Sequence, residues 1–326
     1  MKVLITTVPF GSLPDHNSLG LLQAAQVPYQ LNPLGRRLTE QELIELIPDV
    51  SILIAGTEPI TAKVMDAASK LRLIARVGIG LDNVDLEAAR RRGVTVTYTP
   101  EAPAPAVAEL TVGLMLDLVR NISQTHVLMR SKKWKRFLGR RLDGLTVGVL
   151  GVGRVGKRVI RILRGGFPNV VILANDIQPD YPFGKEFGVR WMEKSELYSE
   201  SDIVTLHLPL TPATKRLISE REISLMKPSA FMINTSRGGI IDENALVSAL
   251  MSGRLAGAAI DVFEHEPYRG ILTDIERCIL TCHMGSMSVD CRASMEIEAV
   301  EDVLRFVRGE PLKQPVPEVE YMVSRR

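Results

Sequence analysis

The chain has 326 residues, 45% of them hydrophobic, with 40 basic against 38 acidic side chains and a formal charge of +2. That length predicts two domains, since a domain commonly takes roughly 100–200 residues, and the near-zero charge excludes a global field that would recruit nucleic acid or an anionic membrane. No stretch reaches the roughly 18 uncharged apolar residues that span a bilayer, and the sparse cysteines, Cys278, Cys282 and Cys291, form no C-x-x-C pair, which points to reduced thiols rather than a disulfide frame or a zinc site.

The opening run MKVLITTVPF is cut by Pro9 and Gly11. It is too short for the core of a signal peptide and reads as a first strand, so a cytoplasmic protein is expected. Short β-branched runs then alternate with amphipathic helical stretches, among them residues 50–55, 71–77 and 94–98. This alternation is the pattern of βαβ units around parallel sheets. The proline-rich residues 100–105 are the expected crossing between domains. Residues 106–122, AVAELTVGLMLDLVRNI, are apolar nearly all round and predict a helix covered on all sides, within the monomer or by a two-fold subunit interface. Residues 131–141, SKKWKRFLGRR, are basic and carry Trp134 and Phe137. One short basic run in a near-neutral chain is expected to be a solvated or subunit-crossing arm rather than a nucleic-acid surface.

Residues 145–150 read as a strand that runs into Gly151-Val152-Gly153-Arg154-Val155-Gly156 and then into a helical stretch. This is G-x-G-x-x-G in the strand-turn-helix context that a dinucleotide site requires. Gly151 permits the tight turn, Gly153 lets the backbone approach a pyrophosphate, and Gly156 allows close helix-strand packing. The diphosphate would sit on the helix N-terminus, where free N–H groups and the helix dipole favour anions. A second strand, residues 170–174, leads to Asp176, twenty residues past Gly156, the expected place for a carboxylate that holds the adenosine ribose. No arginine follows at once to receive a 2′-phosphate, which favours NAD over NADP.

Further along stand HLPLTPAT from His207, NTSRGG from Asn234, DVFEHEP from Asp261 and CHMGS from Cys282. In order and spacing these resemble the D-isomer-specific 2-hydroxyacid dehydrogenases, from about Leu71 to Ser286, and RVGIGLDNVDLEAARRRGV with WKRFLGRRLDG is most similar to the D-3-phosphoglycerate dehydrogenases among them. The resemblance implies that Arg237 binds the substrate's carboxylate or carbonyl oxygen, that His283 carries the proton and that Glu266 holds its imidazole. As hydride reaches the carbonyl carbon its oxygen gains negative charge, which a fixed guanidinium and an imidazolium donor both stabilise. Glu264 is expected to be a solvated side chain, and His16, His126, His207 and His265 to be surface or packing residues.

The same resemblance implies that the amides of Val77, Gly78, Ile79 and Gly80 receive the substrate carboxylate, in a loop that its glycines leave bare. Arg76 either contacts a distal phosphate or carboxylate or is an ordinary exposed arginine. Arg154 and Val155 are expected on the pyrophosphate, Leu208, Thr235 and Ser236 along the nicotinamide half, and Asp261 on the carboxamide. No metal is expected. Two positions depart from the family pattern: Cys282 stands where a proline usually precedes the histidine, and Pro103 where an asparagine is common.

The expected fold is therefore α/β, two doubly wound Rossmann-like parallel-sheet domains with a cleft between them that holds the reaction. Residues 1–100 with 287–326 would form a discontinuous substrate domain, and residues 101–286 the NAD domain. A homodimer built around the 106–122 helix is implied, and the C-terminal regulatory domain of many phosphoglycerate dehydrogenases is expected to be missing. The activity implied is hydride transfer between nicotinamide and a small D-2-hydroxy or 2-oxo acid, 3-phosphoglycerate and 3-phosphohydroxypyruvate among the candidates. The rival reading is an NAD(H)-sensing, corepressor-like scaffold with little turnover.

Overall fold

The computed structural model describes residues 1–13 and 17–323. The strands are β1 Val3–Ile5, β2 Tyr29–Leu31, β3 Ile52–Ala55, β4 Leu73–Arg76, β5 Thr95–Thr97, β6 Thr146–Leu150, β7 Val171–Asn175, β8 Val189–Trp191, β9 Ile203–Leu206, β10 Phe231–Asn234, β11 Gly257–Ile260 and β12 Cys278–Leu280. They form a five-stranded sheet of order β2-β1-β3-β4-β5 and a seven-stranded sheet of order β12-β11-β10-β9-β6-β7-β8. Every strand pair within the two sheets is parallel. Both orders are doubly wound: the first is the flavodoxin-like arrangement, and the second is the dinucleotide-fold arrangement with one strand added at its far edge. The expected fold class is present.

The chain divides into two compact units, Met1–Pro103 with Ser286–Arg326, and Ala104–Gly285. In the first unit β1, β3 and β4 are buried along their whole length, as strands covered on both faces must be. The helix Val289–Arg308 brings the chain back and packs on β3 and β4. Its inward face carries charge. Arg292 Nε donates to Glu296 Oε1 at 2.9 Å, and Arg292 Nη2 donates to Thr7 Oγ1 at 3.0 Å and to the Pro9 carbonyl. Glu296 Oε2 accepts from the Gly11 amide at 2.8 Å and from Ser18 Oγ at 2.9 Å. A buried pair stays charged only when such bonds satisfy its remaining donors and acceptors. Beyond this helix the Tyr98 amide donates to Gln314 and the Val316 amide to Val96, which covers the open edge of β5.

In the second unit alternate residues of one strand feed opposite faces of the sheet. On β6, Val147 and Val149 join one apolar cluster and Leu150 the other. The first face is covered by the helices Pro103–Arg120 and Arg154–Gly166, whose apolar stripes fit the period of a helix packed on one side. Burying each such Val, Leu or Ile contributes about 1.5–3 kcal/mol. The helix Pro103–Arg120 is therefore not covered all round within its unit: Ala108, Val112, Met115 and Val119 are buried, while Leu110 and Leu116 remain partly open. Residues 131–141 carry no regular structure, with Trp134 and Leu138 exposed. Among the described residues no helix is long and apolar enough to cross a membrane, and no group of three or more His, Cys, Asp or Glu could hold a metal ion. His16 lies outside the described residues.

Candidate functional site

The glycine turn follows β6 at the point where the strand order reverses, with β9 on one side and β7 on the other, the position at which open α/β sheets bind ligands. Gly151 has φ of 87°, and a Cβ there would lie 2.4 Å from the His207 carbonyl oxygen. A Cβ on Gly156 would lie 2.1 Å from the Gly151 carbonyl oxygen, so the helix starting at Arg154 rests directly on the turn. At Gly153 a Cβ would meet nothing within 4 Å. The three glycines thus have three different reasons, and the bare, open backbone at Gly153 is what a pyrophosphate needs.

Asp176 stands just past β7 and reaches back to this turn. Its Oδ2 accepts the Val152 amide at 2.7 Å and its Oδ1 the Gln178 amide at 2.8 Å, which fixes a partly exposed carboxylate beside the glycines. Arg154 is exposed and Val155 half-buried in the first turn of the helix, and Leu208 is half-buried past β9. These groups fit a dinucleotide: an open glycine, a helix N-terminus and a carboxylate at ribose distance along the chain.

The ends of β10, β11 and β12 carry the second cluster. After β10 the buried Asn234 folds the turn on itself, its Nδ2 donating to the Arg237 carbonyl at 2.8 Å and its Oδ1 accepting from Ser236 Oγ at 2.8 Å. Gly238 then presses against the next loop, for a Cβ there would lie 1.9 Å from the Phe263 carbonyl oxygen. Only glycine allows the Arg237 turn to pack so close to the loop that carries Glu266. Arg237 Nη1 donates to the Ser236 carbonyl at 2.6 Å. Thr235 is buried, and its hydroxyl shares a 2.8 Å hydrogen bond with Thr111 of the long helix.

Glu266 and His283 meet. His283 Nδ1 lies 2.8 Å from Glu266 Oε2 and 3.1 Å from Oε1, and Oε1 also accepts the Phe263 amide at 3.1 Å. A carboxylate on Nδ1 fixes the tautomer and aims Nε2 as the working nitrogen. His283 itself has φ of 52°, left-handed for a residue with a bulky ring and a conformation that must be held in place by its surroundings. Glu264 points outward, 3.7 Å from Arg216 Nε.

The Asp261 side chain, expected on the carboxamide, is fully buried and braces its own loop. Oδ1 accepts Thr281 Oγ1 at 2.6 Å and the Met284 amide at 2.9 Å, while Oδ2 accepts the Gly285 amide at 3.0 Å. A carboxylate offers about four acceptor positions, and the loop takes three of them.

In the first unit the 76–80 loop follows β4, and here the structure corrects the expectation. The Val77 amide donates to the Ala55 carbonyl at 2.9 Å as a continuation of the sheet, and the Gly78 amide donates to Thr99 Oγ1 at 2.8 Å. Among the described residues only the Ile79 and Gly80 amides of the four have no protein acceptor. Arg76 is not an exposed arginine; it is 5% exposed. Its Nη1 donates to the Val77 carbonyl, its Nε to Asn83 Oδ1 at 3.3 Å, and its guanidinium lies under Gly78, where a Cβ would be 2.6 Å from Nη1. Asn83 in turn donates to the Glu58 carbonyl at 2.7 Å. Thr99 and Asn83 were not legible as loop supports, because they act on groups far along the chain: Thr99 on the Gly78 amide, and Asn83 on Arg76 and the Gly56 and Glu58 carbonyls.

Of the other histidines, His207 is packed behind the glycine turn, with Nε2 3.1 Å from Thr205 Oγ1 and burial pushing its pKa down to about 3. His126 and His265 are exposed. Cys278 and Cys291 are buried and Cys282 is exposed, and none is in a disulfide. Burial pushes the Cys278 thiol up to about 12 and the Cys291 thiol up to about 11.

Comparison with known proteins bears on the same residues. Residues 112–285 match the sequence model of the D-isomer specific 2-hydroxyacid dehydrogenase, NAD binding domain. The chain is 38% identical over 281 residues to a D-3-phosphoglycerate dehydrogenase of Methanocaldococcus jannaschii, covering 84% of this chain and 53% of that protein, so it spans about half of that relative's length. It is 36% identical over 279 residues to a glyoxylate reductase of Thermococcus litoralis, covering 82% of this chain and 84% of the relative. A crystal structure of a protein from Thermus thermophilus superposes with a TM-score of 0.88 at 34% identity, over 97% of this chain and all of the other. On this sequence match, and with an NAD-type glycine turn and a Glu266–His283 pair in one unit, the chain belongs to the D-isomer-specific 2-hydroxyacid dehydrogenases.

Proposed function

We propose that the protein is an NAD-dependent dehydrogenase that interconverts a small D-2-hydroxy acid and its 2-oxo acid. The observation that carries this is the His283 Nδ1 to Glu266 Oε2 contact of 2.8 Å, on loops that the seven-stranded sheet places beside the Arg237 turn. Nicotinamide, when bound, supplies or takes the hydride. In the reducing direction His283 Nε2 gives a proton to the carbonyl oxygen while Glu266 stabilises the imidazolium before transfer; in the oxidising direction neutral His283 takes the hydroxyl proton. Arg237 holds the developing negative charge on that oxygen or the neighbouring carboxylate. The substrate carboxylate falls to the Ile79 and Gly80 amides, with the Arg76 guanidinium under the neighbouring Gly78 adding positive charge. Gly151, Gly153, Arg154, Val155, Gly156 and Asp176 hold the diphosphate and ribose, and Leu208, Thr235 and Ser236 the nicotinamide half.

The relatives differ in substrate, one named for 3-phosphoglycerate and one for glyoxylate, and both chemistries belong to the proposed class. A homodimer is also proposed, supported by Ile122, Val127 and Met129 of the next helix, Ile122–Arg130, which are 55%, 64% and 46% exposed, together with the partly open Leu110 and Leu116 of the long helix. A monomer by light scattering at micromolar concentration would overturn it. Free thiols are consistent with a cytoplasmic location. The functional test is NADH oxidation against glyoxylate, hydroxypyruvate, 3-phosphohydroxypyruvate and longer 2-oxo acids, with His283→Ala alongside. Turnover lost in the variant supports the dehydrogenase and names its substrate; NADH binding without turnover on any member overturns it in favour of a sensing scaffold.

A further inference from the structure

We propose that Asp261 is the positioning residue of the proton-carrying loop, a buried carboxylate that holds residues 281–285 in the one shape that keeps His283 on Glu266. The inference rests on the reading of His283 as the proton carrier, but its geometry is independent of any bound group. Four bonds run from one residue to the loop: the Thr281 hydroxyl and the Met284 amide to Oδ1, the Gly285 amide to Oδ2, and the His283 amide to the Asp261 carbonyl at 2.8 Å. They flank His283 on both sides. The parallel pairing of β11 with β12, Ile260 opposite Leu280, sets Asp261 and Thr281 side by side, and the Thr281 amide extends the ladder to the Ile260 carbonyl at 3.0 Å.

This pinning has something to oppose. His283 is held at φ of 52°, and a loop released from Asp261 would relax toward the ordinary right-handed or extended regions and swing the ring away from Glu266. Glycine at 285 belongs to the same device: a Cβ there would stand 3.3 Å from Asp261 Oδ2, so the loop lies directly on the carboxylate. Charge-assisted bonds to backbone amides are the strong kind, and inside a dry site they do not exchange with water.

The experiment compares the full chain with Asp261→Asn and Thr281→Val, without nucleotide, measuring amide exchange over residues 281–285. The kcat is measured in parallel. In Asp261→Asn exchange of the Met284 and Gly285 amides is expected to rise about ten- to a hundredfold, the hold of one charge-assisted hydrogen bond. The kcat should fall with loop opening. Thr281→Val should move the same readouts by about three- to tenfold, and it decides the question if Asp261→Asn fails to fold. Unchanged exchange over residues 281–285 in both variants would overturn the proposal. Failure of His283→Ala to affect turnover would instead strike the catalytic reading and leave the loop measurements standing.

Discussion

Replacing Glu296 by glutamine changes one atom and removes a charge at a place with almost no water. The carboxylate is 2% exposed, and its two oxygens serve Arg292, the Gly11 amide and Ser18. Glutamine keeps one accepting oxygen, presents an amino group to the other donors and leaves the Arg292 guanidinium without its counter-charge. Breaking a buried pair from one side costs about 3–5 kcal/mol. Arg292 retains the Thr7 hydroxyl and the Pro9 carbonyl, so the lower end, about 3 kcal/mol, is expected. The double substitution Arg292→Met with Glu296→Leu should cost less than Glu296→Gln alone, because no charge is then stranded. Both tryptophans, Trp134 and Trp191, belong to the Ala104–Gly285 unit, so tryptophan fluorescence does not report on this unit directly. Amide exchange of β1 reads it directly, with an expected acceleration of about a hundredfold. Exchange within about threefold of the unmodified protein would refute the reasoning.

Glu266→Gln should leave the fold intact and lower kcat by about a hundredfold or more, since it removes the charge that stabilises the imidazolium; steady-state NADH oxidation measures it, and an unchanged kcat would remove Glu266 from the mechanism. Gly153→Ala is expected to melt within about 2 °C of the parent yet lose at least about tenfold in NADH affinity, whereas Gly156→Ala, whose methyl meets the Gly151 carbonyl, should lose about 1–3 kcal/mol of stability as well. Paired melting curves and NADH titrations separate the two. Because burial holds His207 neutral down to about pH 3 against an ordinary value of 6.5, the unfolded chain binds the extra proton between those values. Its contribution is present above about pH 6.5 and is lost as pH falls toward 3. Urea stability measured across that window should decline less steeply in His207→Gln, and parallel curves would contradict the assignment.

The cofactor turn was legible because its physics is local: Gly151, Gly153 and Gly156 act within one strand-turn-helix, and Asp176 lies one strand further along the same ladder. The pairing of Glu266 with His283 came instead from motif order, since nothing in the residues between them indicates that two strand ends converge. Asp261 and Arg76 show where such reading runs out. Both are charged groups at the end of an apolar strand, which suggests a ligand, and the sequence does not show that both also brace a nearby loop. That bracing is set by neighbours such as the Met284 and Gly285 amides, the Val77 carbonyl and Asn83, and backbone donors and acceptors carry no residue signature. The long helix was legible as one that needs cover beyond a single face: Ala108, Val112, Met115 and Val119 are buried within its unit, while Leu110 and Leu116 stay partly open.

The return of the helix Val289–Arg308 to β3 and β4 also sets an order of events during synthesis. The Ala104–Gly285 unit is continuous and can close as soon as β12 has left the ribosome. The first unit cannot, although its strands are made first. Thr7, Gly11 and Ser18 must wait nearly three hundred residues for Arg292 and Glu296. Until then the end of β1 and the loop after it lack their charged partners, and the apolar strands β1, β3 and β4 lack a cover. At ordinary elongation rates of about 5–20 residues per second that interval lasts on the order of tens of seconds, a window in which the oldest part of the chain is its most vulnerable to chaperone capture or aggregation.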